Sequence, residues 1–479
     1  MEEKIYKNRW KILAVVLLSP FMGNLDSSIV NIALPMMSKH LGVEINSIQW
    51  VVTSYLIVIS AFVLIFGKLS DKFGKVIIFN YGFLIFGLGS FLCTISQSLS
   101  FLVFARIVQA VGAAMYMSAN QSIIAVVFPQ NERGRALGLL GSTVAIGTML
   151  GPALGGIMVQ LFNWQSIFII NIPISIFAFI AGKLILPKEE INKSASAFDL
   201  RGAILFMVFI VALFWALLSG EDLGWNNGKI IISLIISILC GISFYFTEKK
   251  VEDPIVDLSM FQNKLFDISI LCAFISFGVL FCVNIIQPFY LQDAMKISPA
   301  TSGFLMMSVP ISIAVVAPIS GYLSDRLSGE ILTVLGLLTM SIGLFTMSLL
   351  SLSSNYIYIA FSIAIIGIGN GLFQAPNNAI VMSLVSKDKL GVVGSINALV
   401  RNMGMVSGIT FSVALLYNRM SSKIGHRVTG YVSGRPDIFL YAMKIVYVAT
   451  GCICILGMTL TIMRIVKEKR ERGEAYLKS

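Results

Sequence analysis

Residues 67–75 read GKLSDKFGK, and 254 positions later residues 321–329 read GYLSDRLSG. Each copy joins two apolar runs, and each sets one aspartate beside basic side chains, with glycines that permit a tight turn and close helix approach. The recurrence extends outward from these two stretches. Asn31 and Pro35 of NIALP return as Asn284 and Pro288 of NIIQP at an offset of 253. Gly112, Asn120, Gly134, Gly147 and Gly151 return as Gly369, Asn377, Gly391, Gly404 and Gly408 at an offset of 257. Copies in the same orientation at such a period predict one unit used twice, related by an axis along the membrane normal, with a central cavity between two rocking halves.

The repeated unit is a membrane unit. The chain of 479 residues is 57% hydrophobic and 12% charged, with a mean hydropathy of +0.87, which excludes a water-soluble globular protein. A span takes about 20 apolar residues. Fourteen are expected, at 12–35, 47–67, 76–96, 101–124, 136–160, 166–186, 200–218, 229–247, 267–291, 300–323, 331–350, 356–380, 391–417 and 440–464. Spans 1–6 and 9–14 are the two copies, and spans 7 and 8 are an insertion. The expected organisation is an N-terminal six-helix bundle over 1–190, two inserted helices with flanking loops over 191–262, and a C-terminal six-helix bundle with its tail over 263–479. The fold class is an all-α polytopic membrane protein.

The formal charge of +11 reads as span-flanking charge rather than a nucleic-acid surface. The N-terminal tail (Lys4, Lys7, Arg9, Lys11), the 2–3 loop, the 4–5 loop (Arg133, Arg135) and the C-terminal tail (Lys467, Lys469, Arg470, Arg472) share one side, which is therefore expected to be cytoplasmic with both termini. Four basic residues, Arg419, Lys423, Arg427 and Arg435, fall instead in the outer loop 418–439, either an ordered external element or a solvated link. The cysteines lie in apolar runs without metal-ligand spacing, and the two histidines, His40 and His426, fall in predicted loops. No metal site, cofactor or cleavable signal is expected.

Intramembrane charges are few and costly, so each asks for a reason. Asp26 in span 1 lies roughly 13 Å below the outer end, and Arg106 in span 4 roughly 9 Å, so an arginine can reach the carboxylate if the spans face each other. Arg401 in span 13 lies roughly 15 Å from the cytoplasmic end. Two readings of Asp26 stand: a proton site tuned by burial against a nearby arginine, or a static ion pair with Arg106 that locks two helices. The repeat bears on the choice, because Val279 and Ile363 stand where the second copy would carry the two charges. Polar and aromatic candidates for the cavity are Trp50, Tyr55, Gln109, Asn120, Gln121, Asn284, Gln287, Tyr290, Gln374 and Asn377, together with Arg401. Such residues serve equally as glue between helices.

The motifs resemble those of the major facilitator superfamily, and its fourteen-span drug:proton antiporter branch most closely. GKLSDKFGK matches the superfamily's 2–3 loop signature at Gly67, Asp71, Gly74 and Lys75, and the second copy keeps Gly321, Asp325 and Arg326 but ends in Ser-Gly. RIVQAVGAA from Arg106, GTMLGPALGG from Gly147, LDSSIVNIALP, GEDLGW at 220–225 and EDPIVDLSMF at 252–261 resemble further motifs of the branch. The resemblance implies the major facilitator fold and alternating access. It implies that Asp71 and its repeat form a latch, which a plain charged loop would also satisfy. It implies that Gly147, Gly151, Pro152 and Gly155 shape a span 5 packed against the other half, with the glycines on one helix face.

The expected function is a proton-coupled exporter of lipophilic, cationic drugs in a bacterial cytoplasmic membrane, acting as a monomer, with Asp26 and Arg106 coupling protons to small-molecule substrate. The alternative is a dedicated exporter of one small molecule (tetracycline-like, siderophore, amino acid or lipid) on the same fold. An enzyme is disfavoured by the lack of a catalytic carboxylate, histidine or cysteine cluster, and an ATP-driven pump by the lack of a phosphate-loop motif.

Overall fold

A computed structural model describes residues 2–43, 45–187, 198–326, 328–386, 389–428, 430–432 and 434–476. Among them, fourteen helices are long and apolar enough to cross a membrane. In chain order α1 to α14 are Tyr6–Asn31, Trp50–Phe73, Lys75–Thr94, Leu99–Val127, Gln130–Leu161, Ser166–Ile185, Leu200–Gly220, Gly228–Glu248, Lys264–Ala294, Thr301–Ser324, Gly329–Ser348, Tyr356–Ser383, Leu390–Ile424 and Pro436–Met463. They match the expected spans one to one. Both ends of the chain lie on one side, called here the terminal side. The side chain of Pro152 lies outside the described residues.

Local chemistry sets the helix ends. Ser98, Asn227, Asn263, Ser298 and Asn355 each cap a helix start by accepting from a backbone N–H two or three residues on. Gly425, at φ +90°, ends the long helix through Ile424, so the outer loop before Pro436 is shorter than the sequence suggests. Gly74, at φ +103°, turns α2 into α3 within one residue. Its repeat partner Ser328 has φ −65°, so the second copy makes this corner differently and has no lysine where Lys75 stands.

The helices form two six-helix bundles and an inserted pair. The N-terminal bundle closes over Phe79, Phe83, Phe86 and Tyr116, the C-terminal one over Leu337, Met340, Leu344 and Tyr447. Val279 and Ile363, which stand in place of Asp26 and Arg106, are buried in the latter core. The inserted α7 and α8 pack on one flank only. Phe206, Ile210 and Phe214 of α7 share a cluster with Ile57 and Leu64 of α2 and with Leu390 and Val393 of α13. Most of α8 faces outward.

The two halves meet along two seams at the terminal side. In one, a Cβ on Gly67 of α2 would stand 2.1 Å from Ser395 Oγ and 2.9 Å from the Gly391 carbonyl of α13. In the other, a Cβ on Gly321 of α10 would stand 2.2 Å from the Gly134 carbonyl of α5, and one on Gly138 2.5 Å from the Ala317 carbonyl. Nothing larger than glycine fits such backbone approach. Polar contacts continue toward mid-depth: Ser142 donates to the Ala314 carbonyl at 2.9 Å, Asn397 to Gln121 Oε1 at 3.0 Å and Asn402 to Ser60 Oγ at 3.1 Å.

One expectation is corrected here. Gly147, Gly151 and Gly155 do not face the other half. Their Cβ positions point at α1, into Phe21, Ser28 and Ile29 respectively. The same geometry recurs in the second bundle, where Gly404 and Gly408 of α13 abut Phe274 and Gly278 of α9. The glycine face thus joins helices within a bundle, while the terminal-side part of the same helix crosses to the other half.

Candidate functional site: a buried charge knot and two helix-end latches

Asp26 of α1 sits in a knot closed on every side. Arg106 Nη1 of α4 donates to Asp26 Oδ2 at 2.7 Å and to Gln109 Oε1 at 2.5 Å. Gln109 Nε2, one helical turn on, donates to Asp26 Oδ1 at 3.0 Å and to Ser90 Oγ of α3 at 2.8 Å. Asn171 Nδ2 of α6 donates to the same Asp26 oxygen at 2.8 Å. Arg106 Nε reaches the Val51 carbonyl at 3.1 Å, and its guanidinium lies 4.0 Å from the Tyr55 ring centroid. Asp26, Arg106, Gln109 and Asn171 are all 0% exposed. Burial of a charge pair is tolerated only when the remaining lone pairs and protons are also satisfied, and here both carboxylate oxygens are. Among the described residues Arg106 Nη2 is buried without a partner, and beside the knot the Tyr55 and Tyr116 hydroxyls face each other.

The sequence expectation that Asp26 and Arg106 can meet is thus met in geometry. Asn171 escaped notice, because one asparagine in an apolar run carries no signal of its direction. Asp26 Oδ1 accepts two hydrogen bonds and Oδ2 one, and the carboxylate has no exposure to solvent.

Arg401 of α13 is the knot's counterpart in the other half. It is half-buried, its guanidinium is 6.0 Å from the Phe277 ring, and it lies within electrostatic range of Tyr116 and Tyr55. Among the described residues it has no acidic partner within ion-pair distance. Arg106 is neutralised by Asp26, whereas Arg401 presents an uncompensated charge toward the facing bundle.

Other cavity candidates separate into three groups. Trp50 is exposed, and Asn284 and Gln374 are half-buried. Gln121 ties the halves together through Asn397. Four are structural: Asn120 Oδ1 accepts from the Gln121 N–H, Asn377 donates to the Ser269 carbonyl, Gln287 accepts from Tyr447 Oη at 2.8 Å, and Tyr290 donates to the Ser351 carbonyl at 2.7 Å. The last two lie wholly inside the C-terminal bundle, so they do not line a cavity in this state. Gln109 and Tyr55 belong to the knot.

The two loop aspartates act on helix starts in the opposite half. Asp71 Oδ1 and Oδ2 accept from the Gly391 and Val392 N–H groups at 2.9 Å each, and Lys75 Nζ holds Oδ1 at 2.8 Å. Asp325 Oδ1 and Oδ2 accept from the Gly134 and Arg135 N–H groups at 2.8 and 2.9 Å. A helix N-terminus offers unpaired N–H groups and positive potential, so a carboxylate there is stabilised. Burial pushes the Asp325 carboxyl up, and the backbone donors of Arg135 and Gly134 pull it down. Each loop aspartate thus binds a helix start in the opposite half, which is the contact a latch requires. The receivers are backbone groups, visible in sequence only as the glycines Gly134 and Gly391 at one shared offset.

Comparison with known proteins gives this geometry a context. A family model described as Major Facilitator Superfamily matches residues 16–409. The chain is 35% identical over 461 residues to the riboflavin transporter RibZ of Clostridioides difficile (strain 630), covering 95% of this chain and 97% of that protein. It is 29% identical over 419 residues to multidrug resistance protein 3 of Bacillus subtilis (strain 168), covering 87% and 81%. The solved structure of the proton:xylose symporter XylE bound to 6-bromo-6-deoxy-D-glucose superposes with a TM-score of 0.67 at 12% identity, covering 95% of this chain and 96% of that one.

Proposed function

The chain belongs to the Major Facilitator Superfamily, and on that premise we propose that it is a proton-coupled exporter of small aromatic molecules that are neutral or anionic. The observation that carries this reading is the asymmetry of charge around the cleft: Asp26 is neutralised by Arg106, and Arg401 is left unpaired. A cavity whose free charge is a guanidinium attracts carbonyl, imide, phenolate or carboxylate groups and repels cations. The Phe277 ring beside it suits a planar substrate. A riboflavin transporter among the relatives agrees with such a substrate, since a flavin is a planar, polar ring system without positive charge.

The terminal side is cytoplasmic in this reading, because the basic tails and loops lie there. The two seams then close the cytoplasmic face. Binding of a proton would open the Asp26 knot and allow the latches to part, so that Asp26 and Arg106 couple protons to substrate. Lipophilic cations are the second reading, favoured by the multidrug relatives; they require an opened knot that bares Asp26.

The test is transport in proteoliposomes under an imposed pH gradient, with neutral, anionic and cationic aromatic compounds. Arg401→Gln should weaken binding of the neutral and anionic ones by roughly tenfold, the scale of one hydrogen bond to a charged group. Asp26→Asn should abolish accumulation driven by the gradient while leaving substrate exchange. Transport confined to cations, unaffected by Arg401→Gln, would replace this reading with the second. Accumulation by Asp26→Asn equal to that of the native protein would remove Asp26 from coupling.

A further inference from the structure

At the foot of the inserted helices two carboxylates converge on Gly202. Asp199 caps the start of α7, and its Oδ1 accepts from the Gly202 N–H at 2.9 Å. Glu248 ends α8, and its Oε2 accepts from the Val256 N–H at 2.8 Å. The second oxygen of each, Asp199 Oδ2 and Glu248 Oε1, is buried and accepts from no donor among the described residues. These two oxygens lie 2.2 and 2.6 Å from the point where a Cβ on Gly202 would stand, so they are close neighbours across a glycine. Asp199 is 8% exposed and Glu248 3%.

Two buried, adjacent carboxylates cannot both ionise without a large cost, and a proton shared between them removes it. We propose that Asp199 and Glu248 form a proton-binding site, holding one proton between Asp199 Oδ2 and Glu248 Oε1. Among the described residues, the charged groups near the site are few. Lys68 of α2 exerts a weak field on Glu248 but is engaged by Asp253, and Arg201, Lys249 and Lys250 are exposed to solvent. The bound proton belongs to the pair and not to either residue.

The site underlies a strap. After Glu248 the chain runs back toward the first seam. Asp253 pairs with Lys68 of α2, Ile255 is fully buried, and Asp257 pairs at 2.5 Å with Lys389, one residue before α13. The strap thus bridges both sides of the seam that Asp71 latches, and Val256 anchors it to Glu248. Loss of the proton sets two buried negative charges against each other, and their separation would displace the strap that Val256 ties to Glu248.

The experiment compares the native protein with Glu248→Gln and Asp199→Asn in lipid nanodiscs, reading the protonated-carboxyl C=O infrared band and Tm against pH. The native state binds a proton that an unfolded carboxyl, with its ordinary value near ~4, has already released at neutral pH. Stability from the pair is therefore complete in acid and declines as pH rises. The native Tm should fall by several degrees from mildly acidic to mildly alkaline buffer. Each amide variant replaces the shared proton with its own N–H, so the slope should flatten and the band should lose intensity at neutral pH. Asparagine is itself a good helix cap, so Asp199→Asn keeps the helix start intact. Parallel Tm slopes in native and variant proteins, or an unchanged band, would overturn the proposal. So would a native Tm that follows sodium concentration at fixed pH, which would assign the site to a metal cation.

Discussion

The two seams between the halves are built from the same motif and differ in reinforcement. At the α5–α10 seam, Asp325 meets the start of α5 with its carboxylate alone. At the α2–α13 seam, Asp71 meets the start of α13 with a lysine at its side and with the strap of residues 249–263 across it. The α2–α13 seam is thus reinforced by charge, and the α5–α10 seam rests on close helix packing and one aspartate.

The largest effect expected from this difference concerns the aspartates. Asp325→Asn removes hydrogen bonds between a charged acceptor and two helix-end donors, each worth about 1.5–3 kcal/mol. Asp71→Asn removes the equivalent bonds but leaves the strap in place. Distances between spin labels on the terminal ends of the two halves should thus lengthen more in Asp325→Asn than in Asp71→Asn. Adding Lys389→Ala to Asp71→Asn should erase that margin. Equal opening by the two single variants would show that the strap does not hold its seam.

How much of this was legible in the chain follows from where the information sits. Fourteen apolar runs and an offset near that between Gly67 and Gly321 are written in residue types, so span number, bundle order and the insertion could be read directly. The side chains of both latches were visible too, since an aspartate among glycines and lysines is conspicuous. Their receivers were not, because Val392 and Arg135 act through backbone N–H groups that any residue has. Direction was the other hidden quantity. Helices in lipid are apolar all round, so no periodicity distinguishes the cavity face from the bundle face. Gln287 and Tyr290 were expected to line a cavity for that reason and lie inside a bundle instead. Nothing in residue type or spacing marks Asp199 and Glu248 as neighbours, because only the fold sets them beside each other.

A second pair of variants tests the packing of the seams. The Cβ of Gly321→Ala would meet the Gly134 carbonyl of the backbone at 2.2 Å, so one of the helices must move. Overpacking of this kind costs about 1–3 kcal/mol, all charged to the closed state. The Cβ of Gly67→Ala would meet the Gly391 carbonyl of the backbone at 2.9 Å and Ser395 Cβ at 2.6 Å, a less severe approach to backbone even after the Ser395 hydroxyl rotates away. Gly321→Ala should therefore expose cysteine labels on the terminal half of α5 to aqueous reagents, with a smaller gain at α13 in Gly67→Ala. The reverse order would mean that the strapped seam is the more strained of the two.

The smallest effect separates the strap's two titrating elements. Asp257 is drawn down to about 2 by its hydrogen bond to Lys389. Its side chain is 32% exposed and that of Lys389 40%, so solvent screens the pair and Asp257→Asn should cost only about 0.2–1 kcal/mol. A carboxylate held below its ordinary value of about 3.9 contributes fully above that value and loses its contribution as pH falls through the lower one. The stability difference between native protein and Asp257→Asn should thus be flat from alkaline to weakly acidic buffer, shrink only in strong acid, and diminish with added salt. Glu248→Gln should do the opposite, with its difference from the native protein changing through the neutral range. If both variants altered the same part of the pH profile, the strap would titrate as one unit, and the assignment of its neutral-range response to the Asp199–Glu248 pair alone would fail.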